Sequence, residues 1–300
     1  RASAESPRFS LLYVDVDSIM RDARRNLDDS DRDVLNAIED NLPEVLTVSS
    51  SFVDMGIKVT ASYDTPPDSF VLAEANTLKS AGMLPSDTLA LLSFAGVREA
   101  WEEARDQLDD ALRELDLDLT DVLEEIEDET GLDVDEDIFD WMTGETAFAL
   151  LPSEFRLDDY YELDQAIIHA VALFEFDDPL SVEDALENII EILEDQGVDF
   201  DEERIRGVDA VLADLRDYSD LEDYAPGYVI LDNHVLVGTT RESLEEALDA
   251  RDGSIDRLAD ATAYKRVLDA ASGATDFVFY VNVKDLTDMI VDALDSSDRS

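Results

Sequence analysis

Asp15 and Asp17 follow directly on the apolar run Leu11 to Val14. Two carboxylates at that spacing after a strand suit a metal-dependent phosphatase or hydrolase, in which the first attacks phosphorus and a bound magnesium ion neutralises the developing charge. The chain carries its own counterweight. The stretch Tyr13 to Ile19 recurs as Tyr280 to Leu286, with Asn282 and Lys284 at the equivalent positions. No later glycine-flanked aspartate pair or well-placed lysine completes such a site, and a strand end with a helix cap at Asp17 or Ser18 accounts for the same residues without chemistry.

A second candidate is Asp133-Val134-Asp135-Glu136-Asp137, whose alternating carboxylates resemble the start of a calcium loop. The sixth position is Ile138 where a glycine is needed, and the twelfth is Gly144 where a bidentate glutamate belongs, so this is not an EF-hand. No cofactor is expected, with a loose, weak site for Ca2+ or another cation on Asp133, Asp135 and Asp137 as the alternative. The favoured reading puts these acids at a helix N-terminus, where the dipole stabilises them. The cluster Asp199, Asp201, Glu202 and Glu203 is read the same way.

Histidine is confined to His169, in an apolar strand, and His234, beside a turn, and both read as structural. There is no P-loop, dinucleotide glycine fingerprint or nucleophile elbow. With 76 Asp and Glu, acid pairs at glycosidase spacing arise by chance. No cysteine is present, which excludes disulfides, thiolate metal sites and cysteine nucleophiles.

Those 76 acids face 22 Lys and Arg, a formal net charge of -54 over 300 residues. Self-repulsion on that scale works against compaction in dilute buffer and is screened in concentrated salt. Lysine occurs only at Lys58, Lys79, Lys265 and Lys284. The Lys-poor, Asp-rich balance points to adaptation to molar salt. With 45% hydrophobic residues the chain nonetheless has a folding composition. Nucleic acid is excluded as a partner because no basic stripe exists, and anionic membrane surfaces are disfavoured for the same reason. No apolar stretch approaches the ~20 residues that span a bilayer.

The elements that must position these residues are an α+β mixture. Strands are predicted over Ser10–Val16, Val45–Phe52, Gly56–Tyr63, Thr88–Phe94, Glu145–Leu151, Ile167–Phe176, Val208–Leu215, Tyr228–Leu231, His234–Gly238 and Phe277–Val283. Amphipathic helices are predicted over Val97–Leu115 and over Ser181–Gln196, the latter opened by Ser181 and closed before Gly197. Another opens at Thr239, and Asn233 marks a hairpin turn. A further internal echo pairs Ala61–Pro66 with Phe174–Pro179. The expected fold is α+β, mainly antiparallel sheets with amphipathic helices packed on one face, built from repeated strand-helix-hairpin units. Residues 1–8 read as a linker remnant with something removed upstream, 9–83 as a partial first unit, and 84–300 as a second unit with the start of a further hairpin unit.

The stretches Leu84 to Ala90, Ile138 to Ala147 and Asn233 to Ser243, with Ser254 to Leu258 and Tyr264, resemble a family of uncharacterised bacterial and archaeal proteins. These are duplicated, membrane-anchored domains of unknown function. The resemblance implies an extracytoplasmic, surface-tethered protein and brings no catalytic residues with it. Trp141 and Phe139 within the second stretch read as core residues. The function expected is noncatalytic binding or surface assembly with a protein or cell-surface partner, adapted to high salt. The alternatives are a metal-dependent phosphatase or hydrolase using Asp15 and Asp17, and a calcium-stabilised adhesion module.

Overall fold

In the computed structural model, residues 8–15, 45–53, 56–63, 76–113, 118–153, 169–216, 224–271 and 277–297 are described. The chain divides into two compact units, Arg1–Val71 with Glu102–Leu123, and Leu72–Trp101 with Glu124–Ser300. The first holds a three-stranded antiparallel sheet, β1 (Arg8–Asp15), β2 (Val45–Val53) and β3 (Gly56–Tyr63), in that order. These strands fall where the alternation of apolar residues puts them. Helices α1 (Val97–Arg113) and α2 (Leu119–Thr130) both run across the division between the units.

The second unit is built on eight antiparallel strands in the order β11-β4-β5-β6-β10-β9-β8-β7. They are β4 (Ala90–Ala95), β5 (Glu145–Leu150), β6 (Ala170–Glu175), β7 (Asp199–Ile205), β8 (Val208–Asp214), β9 (Gly227–Ile230), β10 (His234–Gly238) and β11 (Phe277–Val281). Helices α3 (Pro179–Asp195), α4 (Arg241–Asp252), α5 (Thr262–Ala271) and α6 (Val283–Ser297) complete it. The register places Leu91, Ala147, Leu173 and Leu236 on one face of the sheet. There they form a core with Leu244, Ala247 and Leu248 of α4, Tyr264 of α5 and the loop residues Leu84 and Leu258.

Strand alternation turns Phe174, Val235 and Val237 to the other face, where they pack with Trp141 and with Val182, Ala185 and Leu186 of α3. The expectation of helices on one face is therefore corrected: α3 and α4 lie on opposite faces. The cause is legible in Val235-Leu236-Val237, which is apolar at every position rather than at alternate ones, as in a strand buried on both sides. The strand-then-helix order expected near the C-terminal end is present as β11 and α6. Its N-terminal counterpart after Asp15, and the Asp64–Pro66 end of the Ala61–Pro66 echo, lie outside the described residues.

Three local readings shift. Residues Asp199 to Glu203 form an edge strand and not a helix N-terminus. The two-residue turn Arg206-Gly207, with φ +50° and +86°, has the left-handed pair that a tight hairpin needs, so β7 folds back on β8 despite its acids. Helix α3 starts at Pro179 under a cap from Asp178, whose side chain accepts from the Leu180 N–H, and Ser181 lies inside the first turn. Helix α4 is capped by Thr240 in a reciprocal pair with Ser243, while Thr239 accepts from the Ala170 N–H of β6.

Arginine ties the charged edge to α4. Arg206 donates to both carboxylate oxygens of Asp249, at 2.8 and 2.9 Å, and to Glu245 at 2.9 Å. Arg241 joins Glu203 of β7 to Glu245 of the same helix. The planar guanidinium makes these forked contacts where a lysine could not. Nearby Glu246 is half-buried without such a partner. Burial, with the like charges of Asp87, Glu242 and Asp249, pushes its carboxyl up to about 7. A carboxyl raised in the folded state holds a proton that the unfolded chain releases, so its charge costs stability above pH 7 and the cost fades as the pH falls toward 4.5. Glu246→Gln is expected to raise stability at pH 8 by about 1 kcal/mol, allowing for solvent screening. The gain should vanish near pH 4.5 in denaturant melts run across pH at constant salt.

Candidate functional site

The densest meeting of acid, base and amide groups in the second unit starts from a turn. The Asn76 side-chain oxygen accepts from the Leu78 N–H at 2.9 Å, and Leu78 sits at φ +55°, a left-handed conformation unusual for leucine. That bend aims the N–H groups of Lys79 and Ser80 at the carboxylate of Glu145, the first residue of β5. The other carboxylate oxygen accepts from the hydroxyls of Ser80 and Ser93, each at 2.5 Å. Ser93 in turn accepts from the Asn76 side-chain amide at 2.7 Å. Glu145 is 2% exposed, and its charge is met by backbone and hydroxyl donors rather than by a cation.

Beside it stands Glu175 at the end of β6. It accepts from the Glu145 N–H at 3.1 Å, from the Asn233 side-chain amide at 3.3 Å and from the Lys79 ammonium. Burial pushes Glu175 up, but the Lys79 hydrogen bond, the backbone donor and the charges of Lys79 and His234 outweigh it and hold the carboxyl below its ordinary range. Gly144 makes the approach feasible, since a Cβ there would stand 2.7 Å from a Glu175 carboxylate oxygen.

His234 opens β10 directly opposite Glu175. It is 5% exposed, with Nδ1 3.0 Å from the Asn233 side-chain oxygen. Burial lowers its affinity for a proton, Glu175 and Glu145 raise it, and Lys79 lowers it again, with a net downward shift. Tyr264 contributes a buried ring, stacked edge-on to Tyr280 at 5.3 Å. Burial, then the charges of Glu145 and Tyr280, pushes its hydroxyl up to about 12. The cluster fastens residues 76–80 to the ends of β5, β6 and β10, while the buried His234 Nε2 and Tyr264 hydroxyl meet no hydrogen-bond partner among the described residues.

The acids singled out for calcium meet in a π-helical turn, Val134–Phe139. Asp133 caps it by accepting from the N–H groups of Asp135 and Glu136 at 2.9 and 3.0 Å. Asp137, 6% exposed, accepts from the Asp133 N–H at 2.8 Å and from the Asn188 amide of α3 at 2.6 Å. Asp135 accepts from the Trp101 indole at 2.6 Å, and that ring stacks on half-buried Phe139 at 4.4 Å. Each carboxylate is engaged by a different donor, and a calcium ion would have to draw them off. No group of three metal-ligating side chains is gathered among the described residues. Trp141, 5% exposed, packs edge-on to Phe174 and donates its indole N–H to the Asp137 carbonyl.

The remaining candidates are the Asp15–Asp17 pair and the two histidines. Asp15 ends β1, and Asp17 lies outside the described residues. His169 precedes β6 and His234 lies opposite its far end. In the first unit, Glu102, Arg105, Asp109, Leu119 and Thr120 line an open polar depression that takes in none of the predicted site residues. Sequence reasoning missed Glu145 and Glu175. Their signal was parity: Glu145 shares alternate positions with buried Ala147 and Ala149, and Glu175 with Val171 and Leu173.

Fold and site together define an acidic α+β protein with an antiparallel, two-faced sheet and a buried polar cluster at its strand ends. The family model described as "Protein of unknown function (DUF3352)" matches residues 4–287, and the chain belongs to that family. No curated protein and no solved structure matches it.

Glu145→Ala is expected to cost about 3 kcal/mol in denaturant unfolding, because it leaves buried donors at Lys79, Ser80 and Ser93 without an acceptor. Asp133→Ala is expected to cost about 1 kcal/mol as a lost helix cap. That cost should be the same with and without calcium at fixed ionic strength, and a calcium-dependent difference would favour the metal reading.

Proposed function

We propose that the chain is a noncatalytic binding or surface-assembly protein that works outside the cytoplasm in concentrated salt. The observation that supports a noncatalytic role is the saturation of Glu145. A carboxylate held by two backbone N–H groups and two hydroxyls has no lone pair or proton to offer a substrate. The extracytoplasmic setting is what the family resemblance implies. Salt adaptation is supported by the net charge of -54 and by arginines spent on forked contacts within an otherwise anionic surface.

Two measurements test the reading. Thermal melts followed by circular dichroism should show a melting temperature that climbs steeply between about 0.1 and 3 M KCl, as screening removes self-repulsion. Equal stability at both ends of the series would remove the salt adaptation. A panel of phosphomonoesters, esters and glycosides with magnesium present should give no turnover. Activity lost in Asp15→Asn would transfer the assignment to a metal-dependent phosphatase.

A further inference from the structure

Glu175 holds two nitrogens on one oxygen. Its Oε1 accepts from the Lys79 ammonium and, at 3.3 Å, from the Asn233 side-chain amide. The other oxygen accepts from the Glu145 N–H at 3.1 Å, which fixes the carboxylate in orientation. Asn233 is fixed as well. It sits in the tight turn between β9 and β10, where the Leu231 N–H donates to the His234 carbonyl at 2.8 Å and the Phe176 N–H, next to Glu175, donates to the Asn233 carbonyl at 3.1 Å. A carboxylate can only accept, so the Asn233 amide turns its nitrogen to Glu175 and its oxygen to His234, whose Nδ1 lies 3.0 Å away. That contact places the imidazole proton on Nδ1. An amine, a base, an amide carbonyl and a donor to the carbonyl oxygen therefore stand in sequence.

A lysine here goes against the habit of the chain. Its cations are arginines except at four positions, and the contacts that tie β7 and its turn to α4 are made by arginine. An arginine would serve a salt bridge to Glu175 at least as well, but a guanidinium stays protonated and is no nucleophile, whereas a lysine that gives up a proton is one. Lys265 and Lys284 pair with surface acids. Lys79, half-exposed, instead reaches a Glu175 side chain that is 12% exposed. Concentrated salt screens such an ion pair, and the lack of cysteine removes the disulfide as a covalent fastening.

We propose that Lys79 and Asn233 join through an amide bond between their side chains, made by the protein on itself with Glu175 as the proton carrier. The Lys79 and Asn233 nitrogens share one acceptor, so a small swing of the flexible lysine stem brings Nζ over Cγ of Asn233. Glu175 takes a proton from the ammonium, and the freed Nζ electron pair attacks Cγ. The Nδ1–H of His234 donates to the amide oxygen as it becomes an oxyanion. Glu175 then passes a proton from the attacking nitrogen to the departing one, the Cγ–Nδ2 bond breaks, and ammonia leaves, protonated to ammonium by the same carboxyl. One C–N bond forms, one breaks, and nothing is oxidised or reduced. Each chain reacts once, so a slow step suffices and no activity on other molecules is added. The product fastens residues 76–80 to the β9–β10 turn with a bond that salt cannot screen.

Intact-mass spectrometry of the folded chain, held for several days in about 3 M KCl and then desalted under denaturing conditions, tests this. Wild type is expected about 17 Da below the mass calculated from its sequence, the mass of one ammonia. Proteolysis should release a branched peptide that joins residues 79 and 233. Lys79→Arg keeps the positive charge at a half-exposed position, so its circular dichroism spectrum should match wild type while its mass returns to the full calculated value. Glu175→Gln, which keeps the shape of the base without its function, should also show the full mass. A folded wild type of full mass overturns the proposal. So does a deficit that survives Lys79→Arg, which would mark a succinimide at an asparagine and be cleaved by hydroxylamine. A deficit lost in Lys79→Arg but kept in Glu175→Gln overturns the role of Glu175 as proton carrier.

Discussion

The second unit depends on covering a sheet that is apolar on both sides, and the placement of nearly every element follows from that constraint. At about 25 cal/mol per Å2 of apolar surface removed from water, a strand such as Val235-Leu236-Val237 stabilises the fold fully only when both faces are packed. Helix α4, Tyr264 and the connecting residues Leu84 and Leu258 cover one side, and α3 with Trp141 covers the other over β6, β9 and β10. The loops do more than connect. The Leu258 N–H donates to the Leu84 carbonyl and the Ser86 N–H to the Asp256 carbonyl, each at 2.8 Å, so two segments far apart in the chain form a strap across the core.

The strap and the polar cluster divide the work between hydrophobic cover and orientation. Apolar packing is indifferent to small sliding movements, whereas Glu145 is not: its acceptors must meet the N–H groups of Lys79 and Ser80 and the hydroxyls of Ser80 and Ser93 together. An apolar replacement of the whole network, donors included, would cost little, but removing Glu145 alone orphans its donors, so the carboxylate penalises any other arrangement of residues 76–80. The left-handed Leu78 shows the strain accepted to reach that geometry. The π-helical turn near Trp141 follows the same logic, with Asp137 joining its start to Asn188 of α3.

Much of this was legible in the sequence wherever periodicity was long and capping residues were distinct. Helices α1 and α3, the β9–β10 hairpin and the central strands fall where apolar spacing puts them, within a few residues. Errors arose where the physics is not local. The residues Asp199 to Glu203 look like a helix start because acids favour one, but the left-handed turn at Arg206-Gly207 and pairing with β8 make them a strand. Asp178 displaced Ser181 as the cap because Pro179 fits the first helical position. The polar cluster was hidden for another reason. Glu145 and Glu175 were two acids among 76, and only their place on the inward side of two neighbouring strands sets them apart. The stretches that carried the family resemblance, Leu84 to Ala90 and Ile138 to Ala147, are those that build the strap and the Trp141 core.

The donors around Glu145 form a small anion receptor already filled by the protein's own side chain. In a brine the rival for such a receptor is chloride, present at molar concentration. A carboxylate tethered to β5 meets the same donors without the translational entropy that a dissolved ion loses on binding. The receptor therefore favours its resident anion over a dissolved one, and the join between residues 76–80 and the sheet rests on buried donors rather than on ions at the surface.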